Sequence, residues 1–207
     1  MNFLSLEDEA LAEYSVKSSK FITLVAPIKG QVEAIEIIKK QKKTHSKATH
    51  NCSAWISYPP NEIKQFSDDG EPQGTAGKQI LEVLQGARLK GVVAVVTRYF
   101  GGIKLGKGGL VQAYQEAIKG ALDKAKIINL HLAIILTVKF SYSEYELFKK
   151  ATEKRKIKVL DIQYTDLVTL KVACVEDEAQ WFNKELHQIK QKESQINIIE
   201  KKFINYN

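Results

Sequence analysis

Very little of what specialised proteins are built from is present in this chain of 207 residues. It has two cysteines, Cys52 and Cys174, far apart in sequence, which is too few for a secreted disulfide scaffold or a four-ligand zinc site. A reducing, cytoplasmic setting is therefore expected. Twelve glycines and four prolines are too few for a fibrous or linker-dominated protein. The longest apolar run, Leu132 to Val138 with one Thr, falls well short of the roughly 20 residues that span a bilayer. No membrane partner is expected. Glu7, Asp8 and Glu9 stand where a signal peptide would be apolar, so no export signal is expected either.

The chain is 44% hydrophobic and 27% charged, enough apolar surface to offset the conformational entropy lost on folding. Its formal charge is +7. Residues 1–128 hold 18 Lys+Arg against 13 Asp+Glu, so most of the excess lies there.

Two segments of different character follow one another. In the first, Phe21 to Ala26 reads as a strand, and Gln31 to Lys43 as a helix with Val32, Ile35 and Ile38 on its apolar face. His50 to Tyr58 alternates with a period of two, the even positions inward. Phe66 to Gly77 reads as a loop, with Thr75 as the N-cap of the helix from Ala76 to Gln85. Val92 to Val96 is a β-branched run suited to a strand buried on both faces. A helix is expected from Leu110 to Ala125. From residue 131 the pattern becomes strand (Leu132 to Tyr142), helix (Ser143 to Arg155), strand (Ile157 to Tyr164), strand (Leu167 to Val175), helix (Asp177 to Lys190) and a strand from Ile196. That βαββαβ order is the ferredoxin-like plan. The fold class is α+β, divided into domains 1–128 and 129–207.

Four stretches could carry chemistry. Gly101 to Lys107 fits Gly-x-x-x-x-Gly-Lys between a strand and a helix, where backbone N–H groups can converge on an anion. Gly108 stands where a nucleotide-hydrolysing loop needs Ser or Thr for magnesium. Two readings stay open: a tight glycine crossing, or a phosphate site made of Arg98, Gly101, Gly102, Lys104, Gly106, Lys107 and Gly108. Asp68, Asp69 and Glu71 could serve in acid/base work or bind a hard cation, but Asp-Asp-Gly is also ordinary turn chemistry, with a link to Arg98 or Lys104 as a variant. His50 and Cys52, two apart on a strand, sit about 6–7 Å apart at Cβ, too far for a default thiolate–imidazolium pair. His50 fits better in a polar cluster with Asp68, Asp69 and Glu71. Lys39, Lys40, Lys42, Lys43 and Lys47 beside His45 form either a solvated helix end or part of a nucleic-acid footprint.

Together, ATHNC (Ala48 to Cys52), FSDDGEPQGTAGKQIL (Phe66 to Leu81) and VVAVVTRYFGGIKLGKGGLVQAY (Val92 to Tyr114) resemble the signature of the IMPACT/YigZ family. KSSKF (Lys17 to Phe21) resembles that family's N-terminal strand. The resemblance implies a first domain similar to the second domain of a small-subunit ribosomal protein. It implies a second domain similar to the last domain of elongation factor G. It further implies a role in translation through RNA, the ribosome or a protein partner, since eukaryotic relatives are linked to control of initiation by binding a kinase activator. Gln79 and Gln112 depart from the family's usual Pro and Arg; the latter removes a cation beside the glycine loop.

The expectation is thus a cytosolic, non-catalytic RNA- or ribosome-associated protein that regulates translation, without cofactor or metal. A phosphate-handling transferase or hydrolase using the acidic and glycine-rich loops is the alternative. A protein-interaction module is a third reading.

Overall fold

A computed structural model describes residues 2–190 and 197–206. The chain forms two compact units, Phe3–Ile128 and the part from Asn129 onward.

The first unit is a sheet covered on both faces. Its elements are β1 (Asn2–Leu6), which is not a strand of that sheet, β2 (Ala10–Val16), β3 (Ser19–Pro27), α1 (Gln31–Thr44), β4 (His50–Ile56), β5 (Lys64–Ser67), α2 (Gly77–Gly86), β6 (Val92–Tyr99) and α3 (Gly106–Leu122). The sheet order is β2-β3-β6-β4-β5, and every pair is antiparallel. β6 is central, and its valine run divides between two cores. Val92, Ala94 and Val96 join Ile80 and Leu84 of α2 and Leu110, Tyr114 and Ile118 of α3. Val93 and Val95 face the other way, with Ala26, Ile28, Trp55 and Ala34 of α1. The continuous apolar run is thus a strand sealed on both sides.

Several local expectations are corrected by packing. The hairpin partner β2 is half-exposed and breaks its apolar residues with Glu13 and Ser15, a pattern too weak to read as a strand. Helix α1 docks through Ala34, Ile37 and Ile38, while Val32 and Ile35 are exposed; the small Ala34 permits close approach to the sheet. β4 is buried on its odd face as well as its even one, because α1 covers Trp55 and its neighbours. The loop read from Phe66 begins two residues too soon, since β5 runs through Ser67. Thr75 does not cap α2, whose N-cap position is Ala76 and has no side-chain cap within the helix. Asp68 does that work from upstream: its Oδ1 accepts from the N–H groups of Ala76 (3.1 Å) and Gly77 (2.8 Å), and its Oδ2 from Gly74 (2.9 Å). Gly77 has no alternative residue here, because a Cβ would sit 2.5 Å from the backbone oxygen of Ser67. Helix α3 opens at Gly106, four residues before Leu110, so half of the glycine-rich stretch is helical.

The second unit comprises β7 (Ile127–Phe140), α4 (Tyr142–Thr152), β8 (Ile157–Tyr164), β9 (Val168–Val175), a 3-10 turn (Glu176–Glu178), α5 (Ala179–Ile189) and β10 (Asn197–Asn205). Ile196, read as the start of the last strand, lies outside the described residues. The strands pair antiparallel in the order β10-β7-β9-β8. Leu136, Val138, Phe140, Leu170 and Val172 pack on Phe148 of α4 and Phe182 and Leu186 of α5. Tyr142, read as the last inward residue of the strand, belongs to α4 and is exposed. Ser141 explains why. Its hydroxyl accepts from the Glu144 N–H (3.3 Å) while Glu144 Oε2 accepts from the Ser141 N–H (2.7 Å), a reciprocal cap that turns the chain into the helix. Strand β8 is exposed along most of its length and carries a bulge between Val159 and Asp161.

Replacing Ser141 by Ala should lower the stability of α4 by about 1 kcal/mol. Hydrogen exchange at the Glu144 amide is the direct measurement, and it should speed up while the amides of β6 do not change.

Candidate functional site

One end of the first sheet gathers the candidate residues. Register places Arg98 on β6 opposite His50 on β4 and Phe21 on β3. The turn after β5 brings Glu71 beside them, and the chain leaving β6 crosses to the start of α3. A cleft of about 410 Å³ opens there, lined by His50, Glu71, Arg98, Lys104, Gly106 and Lys107 among the residues singled out in the sequence. Thr49, Pro72, Phe100, Leu105 and Leu110 complete its wall.

The floor is a buried ion pair. Arg98 Nη1 donates to Glu71 Oε1 at 2.8 Å, with both side chains almost wholly buried. The same oxygen accepts from the Tyr114 hydroxyl (2.9 Å). Arg98 Nη2 reaches Ser19 Oγ (3.4 Å), and its guanidinium packs against the rings of Phe21 and Phe100, about 5.6 and 5.5 Å from their centroids. Three strands and a helix thus meet on one carboxylate–guanidinium pair. Of the two expectations for Arg98, a phosphate contact and a link to the acidic loop, the structure shows the link, to Glu71, which matches its charge internally.

His50 has a defined tautomer. Its Nδ1 lies 2.8 Å from the carbonyl oxygen of Asp69, which can only accept, so Nδ1 carries the proton. Nε2 then faces Glu71 Oε2 at 3.9 Å, on the cleft side.

Asp68 and Asp69 do not line the cleft. Asp68 holds the turn and the start of α2, as above. Asp69 Oδ2 accepts from the Asn51 N–H (2.6 Å) and its Oδ1 pairs with Lys42 at 2.6 Å. That pair anchors the lysine-rich end of α1 to the turn, and His45 Nδ1 adds a contact to the Tyr99 hydroxyl at 2.9 Å. The acidic stretch therefore acts as turn and tether, with Glu71 its one member in the cleft.

The glycines divide by role. Gly101 lies where a Cβ would collide with the backbone of Ser18, so close chain crossing requires glycine. Gly102 and Gly106 have φ of +86° and +74°. Gly108 lies within the first turn of α3, off the cleft wall. The start of α3 has no side-chain cap and no acidic residue in its first turn. Among the described residues neither Lys104 nor Lys107 has an ion-pair partner.

Cys52 lies beneath the floor and is fully buried. Its thiol lies 3.0 Å from the Asp68 carbonyl oxygen, to which it donates, and 3.3 Å from Tyr114 Oη. Burial, then the nearby carboxylates, push the thiol far above its ordinary range; the Tyr114 hydroxyl opposes this only in part. It is a packing donor and not a nucleophile. Burial likewise pushes the Tyr114 phenol up, helped by its Cys52 and Glu71 neighbours. No group of three His, Cys, Asp or Glu side chains suited to a metal occurs among the described residues. No helix among them is long and apolar enough to cross a membrane.

Tyr114 and Phe100 were missed as site residues. Tyr114 stands on the buried side of α3, where its hydroxyl needs a partner; that need is the available signal. Phe100 gave none, because its role depends on the guanidinium beneath it.

The class this defines is an α+β protein of two units, whose first unit carries a lysine-edged cleft over a sealed ion pair. Residues 17–122 match the model of the Impact N-terminal domain, and residues 138–189 match a domain of unknown function, DUF1949. Over 195 residues the chain is 34% identical to the IMPACT family member YvyE of Bacillus subtilis (strain 168), covering 94% of this chain and 90% of that protein. Over 160 residues it is 36% identical to the IMPACT family member YigZ of Escherichia coli (strain K12), covering 76% and 78%. A crystal structure of a hypothetical protein superposes with a TM-score of 0.66 at 31% identity, covering 96% of this chain and 98% of that one. The chain belongs to the IMPACT family.

Two outcomes test the site's architecture. Glu71→Leu should cost about 3–5 kcal/mol in denaturant unfolding, because it strands the buried Arg98 charge; adding Arg98→Met should restore most of that loss. The raised Cys52 and Tyr114 groups add stability that is intact below their ordinary values of 9.0 and 10.0 and is lost as pH rises. Above pH 9.0 the unfolded thiol ionises and the folded one does not. Stability should fall there by about 1.4 kcal/mol per pH unit for each such group, and Cys52→Ala should flatten the first part of that decline.

Proposed function

We propose that this protein is a cytoplasmic RNA- or ribosome-associated binding protein acting in the regulation of translation, with its first unit holding phosphate. Lys104 and Lys107 supply the charge. The amides of Gly106 and Lys107, at the start of α3, supply donors. Arg98 shapes the floor without contributing net charge, and His50 and Glu71 fix that floor. The observation that carries this reading is the pair of lysines, without an ion-pair partner among the described residues, at an uncapped, acid-free helix start. Such a start is unfavourable for cations on its own, and an anion relieves it.

Further support comes from the last turns of α1, where Lys39, Lys40 and Lys43 add positive charge around Lys42, which is tethered to the turn at Asp69. The likeness expected for the two units, to a small-subunit ribosomal protein domain and to the last domain of elongation factor G, belongs to the same proposal. So does a protein partner in translation control. Both cysteines are unpaired, which fits a reducing compartment.

The test is binding to a single-stranded RNA across a salt series. Affinity should fall with salt, and Lys104→Ala with Lys107→Ala should reduce the log–log slope by about 1.4, two neutralised charges at about 0.7 each. The unfolding midpoint should stay as in the parent. A salt-independent response of the parent chain would refute the proposal.

A further inference from the structure

We propose that the cleft receives a single phosphomonoester together with the planar group attached to it: one mononucleotide unit, free or at the end of a strand. This rests on the phosphate-binding reading above and narrows it, because internal phosphates of a continuous backbone would fit the cleft poorly.

Size is the first argument. A volume of about 410 Å³ lies in the range of small-molecule sites and is far too small for a length of strand. Charge is the second. Arg98 and Glu71 cancel, leaving Lys104 and Lys107 as the unmatched charges on the wall. Two positive charges at a helix start suit a phosphomonoester, which carries about −1.5 to −2 at pH 7, better than a singly charged diester.

The third argument is a fixed floor. Arg98 is 5% exposed and stands on the cleft wall, and its bonds to Glu71 (2.8 Å) and Ser19 Oγ (3.4 Å) hold it in place, so a ligand meets a preformed surface. The fourth is bare backbone. A Cβ built on Gly106, which stands on the cleft wall, meets no atom within 4 Å. Open space therefore lies over the first turn of α3.

The fifth is a platform for the planar group. Phe100 is 45% exposed, and its ring is backed by the guanidinium of Arg98 at 5.5 Å. A ring held this way offers a fixed face for stacking.

The experiment measures binding of AMP, adenosine and inorganic phosphate to the full chain by calorimetry, alongside one RNA decamer bearing a 5′-phosphate, a 3′-phosphate or hydroxyls at both ends. AMP should bind at least about tenfold tighter than adenosine or inorganic phosphate. At least one end-phosphorylated decamer should exceed the hydroxyl-ended one by about the same factor. Phe100→Ala should weaken AMP about tenfold and leave inorganic phosphate unchanged, as removal of one stacking contact does. Lys104→Ala with Lys107→Ala should weaken both. If all three decamers bind alike and AMP does not compete, this inference is overturned and the RNA reading survives. If AMP binds and no decamer does, the ligand is a free mononucleotide and the RNA reading fails instead. Equal affinity for AMP and inorganic phosphate would overturn the stacking platform.

Discussion

The Arg98–Glu71 pair is the constraint from which the rest of the first unit's site follows. A guanidinium at the end of a central strand cannot be buried without a carboxylate, and Glu71 can reach it only if the turn after β5 folds back over the sheet edge. That return fixes the other members. Asp68 is placed to hold the start of α2, Asp69 to meet Asn51 and Lys42, and the carbonyl of Asp69 to set the His50 tautomer. Tyr114 ties the same carboxylate to α3, and so fixes the angle at which that helix offers its amino end. Loss of one partner would be costly because the remaining ion would be left in a medium that cannot solvate it.

Much of the fold was legible in the sequence because its strongest signals are local. The β6 valines, the β8 span and the alternation of β9 declare themselves within a few residues. What failed to read depends on distant partners. Val32 and Ile35 look as apolar as Ile38, but only packing shows that the sheet meets α1 through Ala34. Thr75 is a fair local N-cap, but Asp68 claims the same N–H groups first, because the turn holds its carboxylate in reach. The opening of α3 at Gly106 was hidden by glycine's poor helix propensity.

The candidate site was legible as a set of residue types and not as an arrangement. His50, Glu71, Arg98, Lys104, Gly106 and Lys107 meet at one cleft, whereas Asp68 and Asp69, next to Glu71 in sequence, are spent on the turn. The division of charge was also hidden. Composition counts Arg98 with Lys104 and Lys107, but only the lysines retain net charge toward solvent. The first unit's basic excess is therefore smaller at the cleft than its residue list implies, and it is concentrated on one side.

Strand β8 lies at the margin of its sheet and is exposed on most of its length, with Val159 and Leu160 among its outward apolar residues. Such a margin is a template on which another chain could add a strand. The bulge between Val159 and Asp161 interrupts that template at its most apolar point, and Lys158 and Asp161 place charge on either side. The irregularity thus works as a safeguard against self-assembly. Straightening it would leave the monomer's contacts nearly intact while raising the risk that neighbouring molecules polymerise.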